Sequence, residues 1–228
     1  MNKSFSIMTL NVHDFKNSEM EDSYDKISNT IKSFHVIALQ EVYDKNYLHK
    51  ITEGYNYTYN KGTVIMTKFP IQIVIEELVE ECYTSLIIHL PIHIPVLITN
   101  VHLDYQNEKT RKKELNNILE KISFLTNDYP SILLGDFNSL TKKDYTPKEW
   151  AEIYKIRKNG CWELPLTGLT EYLNLEWLDP GYKDKKKTSR YNTRIDYIYT
   201  KNINIIKHDI IETLPNISDH NLVYINFN

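Results

Sequence analysis

Cysteine is scarce in this sequence, because Cys82 and Cys161 are the only two in 228 residues. Two cysteines are too few for a disulfide framework, and a chain of this length can build its own core, so the pattern suits a reducing compartment. A single bridge between the two remains an open alternative. Small scaffolds held together by disulfides are excluded as a class.

Long apolar runs are also lacking. The run at residues 7–12 is too short for a signal peptide, and polar residues flank it. The most apolar region, residues 85–99, carries two histidines and two prolines, which excludes a transmembrane helix there. We therefore expect a soluble, intracellular protein with no signal peptide, no transmembrane segment and no stable membrane association.

Neither sign of charge dominates the composition. The chain has 27 Lys+Arg and 30 Asp+Glu, a net charge of 27 − 30 = −3, so it is not a polycation that binds nucleic acid through its overall charge. A phosphate-binding surface must therefore be local, or based on a metal ion. With 41% hydrophobic residues and no repeat, linker or low-complexity tract, the sequence excludes disordered and fibrous proteins. We expect one domain over residues 1–228, and a monomer.

Short β-branched runs alternate with polar loops along the chain and predict ten strands. These strands cover residues 5–10, 36–39, 63–67, 71–78, 84–90, 96–101, 132–134, 195–199, 203–211 and 222–227. Residues 22–34, 108–125 and 147–157 have helical periodicity instead. The last of these helices begins with Thr146 as its N-cap and Pro147 at its first position. Strands with a few helices between them predict a layered α/β sandwich.

Polar residues stand where the predicted strands end. They are Asn11, Gln40, Glu41, His102, Asp104, Asp136, Asn138, Asp196, Asp219 and His220. Because strand ends converge on one edge of a sheet, these side chains can form one cluster. Carboxylate and amide oxygens without thiolates select hard cations such as Mg²⁺ or Mn²⁺. Each residue taken alone is better explained as an ordinary turn residue, and only the set favours a metal site.

The same residues form an ordered set of motifs: Leu-Asn at 10–11, Gln-Glu at 40–41, Asn-Val-His-Leu at 100–103, Gly-Asp-Phe-Asn-Ser at 135–139, Arg-Ile-Asp-Tyr-Ile at 194–198 and Ser-Asp-His at 218–220. From Met8 onwards, this set resembles the endonuclease/exonuclease/phosphatase superfamily, the fold of deoxyribonuclease I and the AP endonucleases. The resemblance implies a four-layered α/β sandwich, with two packed mixed β-sheets flanked by helices. It also implies hydrolysis of phosphoric esters with Mg²⁺, or with Mn²⁺ as a substitute.

The resemblance further implies which residues hold the metal and the attacking water. Glu41 is similar to the direct metal ligand of the family, with Asn11 and Asp219 around it. Asp136 and Asn138 match the pair that orients the water and contacts the scissile phosphate. Charge neutralisation, an activated water and help for the leaving oxygen are what hydrolysis of a phosphodiester requires.

Histidines complete the implied site. His220 matches the family histidine that hydrogen-bonds a phosphate oxygen, and Asp196 matches the carboxylate that orients this histidine. His102 matches the second histidine of the nuclease branch. In the deoxyribonuclease I branch a glutamate before the third strand partners that second histidine, whereas residues 60–63 here read Asn-Lys-Gly-Thr. His13 is either a ligand or a buried structural histidine.

A basic segment precedes Asp196, in a loop that enters the predicted site. Its candidate phosphate-binding residues are Lys185, Lys186, Lys187, Arg190 and Arg194. A solvated run of charge is the alternative interpretation of this segment. Tryptophans 150, 162 and 177 lie between Asn138 and Asp196, where one or two could stack on a base, although core packing explains most aromatic residues.

These features favour a Mg²⁺-dependent phosphodiesterase that acts on nucleic acid, with DNA first, as an endonuclease, an exonuclease or a DNA-end repair enzyme. Two alternatives stay open. One is a phosphatase or phospholipase acting on inositol phosphates or sphingolipids, although the sequence shows no clear apolar collar for a lipid. The other is a catalytically silent binding module of the same fold.

Overall fold

Eleven strands and five α-helices build the computed structural model, which describes residues 4–74, 81–91, 95–160, 163–182 and 186–228. The strands are β1 Phe5–Asn11, β2 Val36–Gln40, β3 Asn56–Asn60, β4 Thr63–Thr67, β5 Ile71–Ile73, β6 Tyr83–His89, β7 Pro95–His102, β8 Ser131–Asp136, β9 Asp196–Lys201, β10 Ile205–Ile211 and β11 Leu222–Phe227. The α-helices are α1 Tyr24–Ile31, α2 Lys45–Thr52, α3 Glu108–Asp128, α4 Pro147–Asn159 and α5 Gly168–Leu173. Short 3₁₀ turns cover His13–Phe15 and Lys142–Asp144.

The strands form two mixed sheets. One has six strands in the order β10-β11-β1-β2-β4-β3, and the other has five in the order β5-β6-β7-β8-β9. Each sheet contains one parallel pair, β1 with β2 and β7 with β8, while its other neighbours are antiparallel. The carboxyl ends of these four parallel strands supply most of the polar residues that the sequence singles out.

The hydrophobic core explains why the sheets stack. Side chains of both sheets, such as Ile7, Ile65, Ile98 and Ile198, form one buried cluster between them. Because alternate residues of a strand point to opposite faces, each sheet also has a second apolar face. Helices α1 and α2 cover that face of the six-stranded sheet, and α3 and α5 cover that of the five-stranded sheet. The four layers confirm the α/β sandwich expected from the sequence.

Helix ends follow their capping residues. The Thr146 side chain accepts from the backbone N–H of Glu149 at 3.2 Å, and the Glu149 carboxylate accepts from the N–H of Thr146 at 2.7 Å, with Pro147 as the first residue of α4. This capping box agrees with the predicted start of that helix. At α2 and α3 the side chains of Asp44 and Asn107 accept backbone N–H groups of the first turn.

Parts of two sequence predictions fall on residues that the structure does not describe. The predicted strand 71–78 is a strand over Ile71–Ile73, and its residues 75–78 lie outside the described ranges. Cys82 is a free thiol, while Cys161 lies outside the described residues, so the bridge stays untested. Within the part of the chain that the structure describes, no helix combines the length and apolar character needed to cross a membrane.

Candidate active site

Strand register brings the predicted site residues to one end of the sandwich. In the six-stranded sheet Asn11 is the register partner of Gln40, the residue before Glu41. In the five-stranded sheet His102 pairs with Asp136, and Asp136 pairs in turn with Asp196. The motif at 218–220 enters beside them, because β11 begins two residues later and runs antiparallel to β1.

Backbone conformation at this edge is unusual. Glu41 has φ 58° and Asn138 has φ 49°, a left-handed region that non-glycine residues adopt at about 1–3 kcal/mol each and that is concentrated at functional sites. Gly135 has φ 134°, and a Cβ there would lie 2.0 Å from the carbonyl oxygen of Val101. Glycine is therefore required where β8 passes β7 on its way to Asp136.

Asp136 is the centre of the site. Its Oδ2 accepts from Nδ2 of Asn11 at 3.2 Å and lies 3.8 Å from Nε2 of both His102 and His220. The same Asn11 nitrogen donates to Oε1 of Glu41 at 2.9 Å, and His102 Nε2 is 3.7 Å from that oxygen. Asn11 thus joins the two carboxylates across the two sheets.

His220 and Asp196 form a buried pair next to this centre. Nδ1 of His220 and Oδ2 of Asp196 are 2.9 Å apart, and the carboxylate is fully buried. Burial alone lowers the pKa of His220, but the carboxylate of Asp196, with Asp136 behind it, raises that pKa above the usual histidine range. Nδ1 of His220 therefore faces Asp196, and Nε2 faces Asp136.

A third group of residues, His13, Arg190, Tyr191 and Asp219, forms what we call the rim of the site. Nδ1 of His13 is 3.8 Å from Oδ1 of Asp219, and Nε of Arg190 is 3.6 Å from Oδ2 of Asp219. The Arg190 guanidinium lies 5.0 Å from the centre of the exposed Tyr191 ring and donates to its hydroxyl at 3.0 Å. The hydrogen bond to the Tyr191 hydroxyl is the main cause that raises the pKa of Arg190. The carboxylates of Asp219 and Glu41 raise this pKa further. A charged, partly exposed arginine therefore faces the carboxylates.

The donor set fits a hard divalent cation. Asn11 donates to both neighbouring carboxylates, and its own oxygen accepts from the His13 N–H at 3.0 Å with a second lone pair remaining. Asn11, Glu41, Asp136 and Asp219 are the oxygen donors at this edge of the sandwich. Oδ1 of Asp219 is buried and has no hydrogen-bond partner among the described residues. Asp136, Asp196 and His220 also offer ligand atoms within 4.8 Å of one another. Crowded carboxylates of this kind are stabilised by a cation.

Arg194 requires a correction. The sequence predicted that it binds substrate phosphate, but its side chain is fully buried. Its guanidinium donates to Asp179 at 2.7 and 2.9 Å and to Asp144 at 3.2 Å. Arg194 is therefore a structural residue that joins three segments behind the site.

The other basic residues of the predicted segment differ in where they lie. Nζ of Lys186 is 2.9 Å from Asp209, and Nζ of Lys187 donates to the Asp144 carbonyl at 3.0 Å and lies over the Tyr145 ring. Lys185 lies outside the described residues. Arg190, a described member of the segment, reaches a site carboxylate, with its Nε 3.6 Å from Oδ2 of Asp219.

Four further residues support this site: Gln40, Asn100 and Ser218 belong to the sequence motifs but had no role assigned, and Thr188 was missed. Gln40 and Asn100 are fully buried, and Nε2 of Gln40 donates to Oδ1 of Asn100 at 2.6 Å across the two sheets. Thr188 accepts the backbone N–H of Asp196 at 3.1 Å, and Ser218 donates to the carbonyl of Asn11 at 2.7 Å. Their place in the motifs is the signal that could have given Gln40, Asn100 and Ser218 this supporting role, whereas Thr188 carries no distinguishing pattern.

The carboxylates next to His102 lie outside residues 60–63. Residues 60–63 contain no acid, so the glutamate partner of the deoxyribonuclease I branch is missing there. In the structure the carboxylates of Glu41 and Asp136 face Nε2 of His102 instead. Glu114 of α3 lies close enough for His102 to lower its pKa, although burial raises that pKa overall. Its carboxylate accepts from the N–H of Asp104 at 2.8 Å.

Comparisons with known proteins agree with this arrangement. Residues 8–220 match the model of the endonuclease/exonuclease/phosphatase family. A comparison with curated proteins finds no significant match. An endonuclease/exonuclease/phosphatase from Bacteroides vulgatus has a TM-score of 0.71 and 14% identity, covering 100% of this chain and 99% of its own.

Two other solved structures have named activities or ligands. D. rerio TDP2, in complex with a single-strand DNA product, has a TM-score of 0.66 and 18% identity over 100% of both chains. A mannosyl-6-phosphatase from Bacteroides thetaiotaomicron VPI-5482 has a TM-score of 0.63 and 16% identity over 98% of this chain and 99% of that one. At these identities the likeness establishes the fold.

Proposed function

The chain belongs to the endonuclease/exonuclease/phosphatase family, and from that premise we propose that it is a Mg²⁺-dependent phosphodiesterase acting on nucleic acid, with DNA as the first candidate. Members of this family are in general hydrolases of phosphoric esters. The observation that carries the proposal is the buried His220–Asp196 pair, 2.9 Å apart, whose Nε2 faces the carboxylate centre at Asp136.

Each side chain of this centre has a task in that reaction. His220 donates from Nε2 to a phosphoryl oxygen, and Asp196 keeps the imidazole in the tautomer and orientation that allow it. Asp136 and Asn138 orient the attacking water, and Asn11 keeps Glu41 and Asp136 at a fixed separation. A divalent ion held by Glu41 and Asp136, with Asp219 beside them, would neutralise charge on the phosphoryl oxygens.

Support for a nucleic-acid substrate comes from the rim. Arg190 presents a cation next to Asp219, and Tyr191 presents an exposed ring beside it. A cation for the phosphate and a ring for the base are what single-stranded nucleic acid binds. The fold neighbour that holds single-strand DNA agrees with this choice. The mannosyl-6-phosphatase neighbour makes a sugar phosphate monoester the rival substrate.

A panel of substrates tests the proposal. The purified protein with Mg²⁺ is incubated with single-stranded DNA, abasic duplex, 5′-tyrosyl DNA, poly(A) RNA, mannose 6-phosphate, an inositol phosphate and sphingomyelin. We expect hydrolysis of a DNA substrate, its loss in Glu41→Gln, and its retention in His49→Ala, a matched change at an exposed histidine of α2. Hydrolysis of the monoesters alone would contradict the proposal, and no hydrolysis at all would favour a silent module.

A further inference from the structure

A cavity of about 530 Å³ opens beside the catalytic pair and takes no part in the chemistry described above. Its walls come from the segment at 186–192 and from residues 210–221. The two walls are joined next to the catalytic pair, since the N–H of Arg190 donates to the carbonyl of Asp219 at 2.9 Å and Ser189 forms a β-bridge with His220. The cavity therefore shares a wall with the candidate active site.

The lining has two kinds of surface. Among the described residues, Lys186, Lys187 and Arg190 line the cavity with basic side chains and Glu212 with a carboxylate, and Lys186 is also paired with Asp209. Ile210, Leu214 and Pro215 contribute an apolar wall. An anion and a flat apolar ring in one ligand would satisfy both surfaces, and this combination is found in a nucleotide. The volume lies in the range of pockets that bind small ligands.

Arg190 connects the cavity with the catalytic centre. It lines the cavity, while its Nε lies 3.6 Å from Oδ2 of Asp219. Its side chain is 40% exposed, so the guanidinium can reach a phosphate that passes from one place to the other. A polyanion bound at the site would thus continue along Arg190 into the cavity.

We propose that this cavity binds the nucleotide unit next to the scissile phosphate, so that the protein requires a single-stranded stretch on one side of the cut. The inference rests on the proposed function, because it takes the substrate to be nucleic acid. Base pairing would keep the base out of the cavity. A frayed end or an unpaired overhang is therefore the preferred form of the substrate.

Two lysines allow a matched test. Nζ of Lys186 and Nζ of Lys207 lie 2.9 Å and 3.0 Å from the carboxylate of Asp209, and both side chains are about half exposed, at 48% and 49%. Of the two, only Lys186 lines the cavity among the described residues. Lys186→Gln and Lys207→Gln therefore remove the same charge from the same carboxylate but differ in their position relative to the cavity.

Binding is measured by fluorescence anisotropy with oligothymidylates of one to six nucleotides in the presence of Ca²⁺. We expect the affinity to rise about tenfold when one nucleotide is added beyond the scissile phosphate, because the added unit brings a phosphate to Lys186 and a base against the apolar wall. Lys186→Gln should remove most of this step and lower the salt slope by ~0.7, the value for one contact to a single strand. Lys207→Gln should leave both unchanged.

Ser18→Trp provides a second, uncharged test by filling the cavity from its rim. The KM for a single-stranded oligonucleotide should rise about tenfold, the same size as the step that the cavity supplies in the wild type. Equal effects of the two lysine variants, or an oligonucleotide KM unchanged by Ser18→Trp, would overturn the cavity assignment while nuclease activity persists. A wild-type protein that cleaves a minimal diester such as bis(4-nitrophenyl) phosphate but no nucleic acid would overturn the proposed substrate as well. If Ser18→Trp does not fold, the lysine pair decides.

Discussion

At the scale of single residues, Asp196 and His220 behave as one unit. His220→Ala removes a preorganised donor, and we expect kcat to fall at least ~10²-fold. Asp196→Asn retains the size of the side chain but favours the wrong tautomer, so its loss should be of similar order. The double variant should be little worse than His220→Ala, because residues that act together are not additive.

Single-turnover rates of the three variants check this expectation, with His49→Ala as the control. Losses that multiply in the double variant would assign Asp196 an independent role such as metal binding. That outcome would agree with the buried cluster that Asp196 forms with Asp136 and His220.

The sequence predicted residue types at the site better than it predicted side-chain directions. Asn11, Glu41 and Asp136 could be identified because strand ends share an edge. Arg194 could not, since nothing local tells that its guanidinium turns inward. Its partner Asp179 lies 15 residues away along the chain, and Asp144 lies 50 residues away.

At the scale of elements, Arg194 allows a test of how much buried ion pairs stabilise the fold. Its guanidinium joins the start of β9 to two loops. Arg194→Met leaves two buried carboxylates unpaired, and we expect a loss of about 3–5 kcal/mol in the free energy of unfolding. Arg190→Met, at a half-exposed arginine four residues away, should change stability by no more than ~0.5 kcal/mol. Urea denaturation measures both. Equal midpoints for Arg194→Met and the wild type would show that the ion pairs do not stabilise the fold.

The close pairing of β7 with β8 depends on Gly135. In Gly135→Ala the new Cβ would meet the Val101 carbonyl at 2.0 Å, so the two strands must separate. We expect a loss of at least ~3 kcal/mol, or failure to fold. Gly54→Ala is the matched control, because Gly54 also has a positive φ but no atom lies within 4 Å of its added Cβ. Its left-handed strain alone costs about 1–2 kcal/mol. Similar losses in the two variants would contradict the role given to the contact with Val101.

Most elements could be predicted because hydrophobic periodicity dominates them. β3 was missed because Asn56–Asn60 reads Asn-Tyr-Thr-Tyr-Asn, whose polar residues lie at the edge of the sheet. α2 and α5 were also missed: α5 has only six residues, and α2 shows a short apolar pattern with Leu48 and Ile51 as its buried apolar side chains. Packing on a sheet face, which a local pattern does not show, stabilises both.

At the scale of the whole molecule, the closely spaced carboxylates should make both activity and stability depend on a metal ion. Excess EDTA should abolish turnover, and Mg²⁺ or Mn²⁺ should restore it, whereas Ca²⁺ alone should not. The ion should also raise the Tm of the wild type, because it binds the folded state only. Glu41→Gln should lose that rise, which differential scanning fluorimetry measures. Full turnover in excess chelator would contradict the metal site.

The order of strands in the six-stranded sheet has a consequence for synthesis of the protein. β11, which comes last along the chain, lies between β10 and β1, and Phe227 is the register partner of Phe5. A ribosome must therefore deliver Asp219, His220 and all of β11 before the first strand finds its second neighbour. It follows that a nascent chain cannot assemble the candidate site until translation has passed these residues.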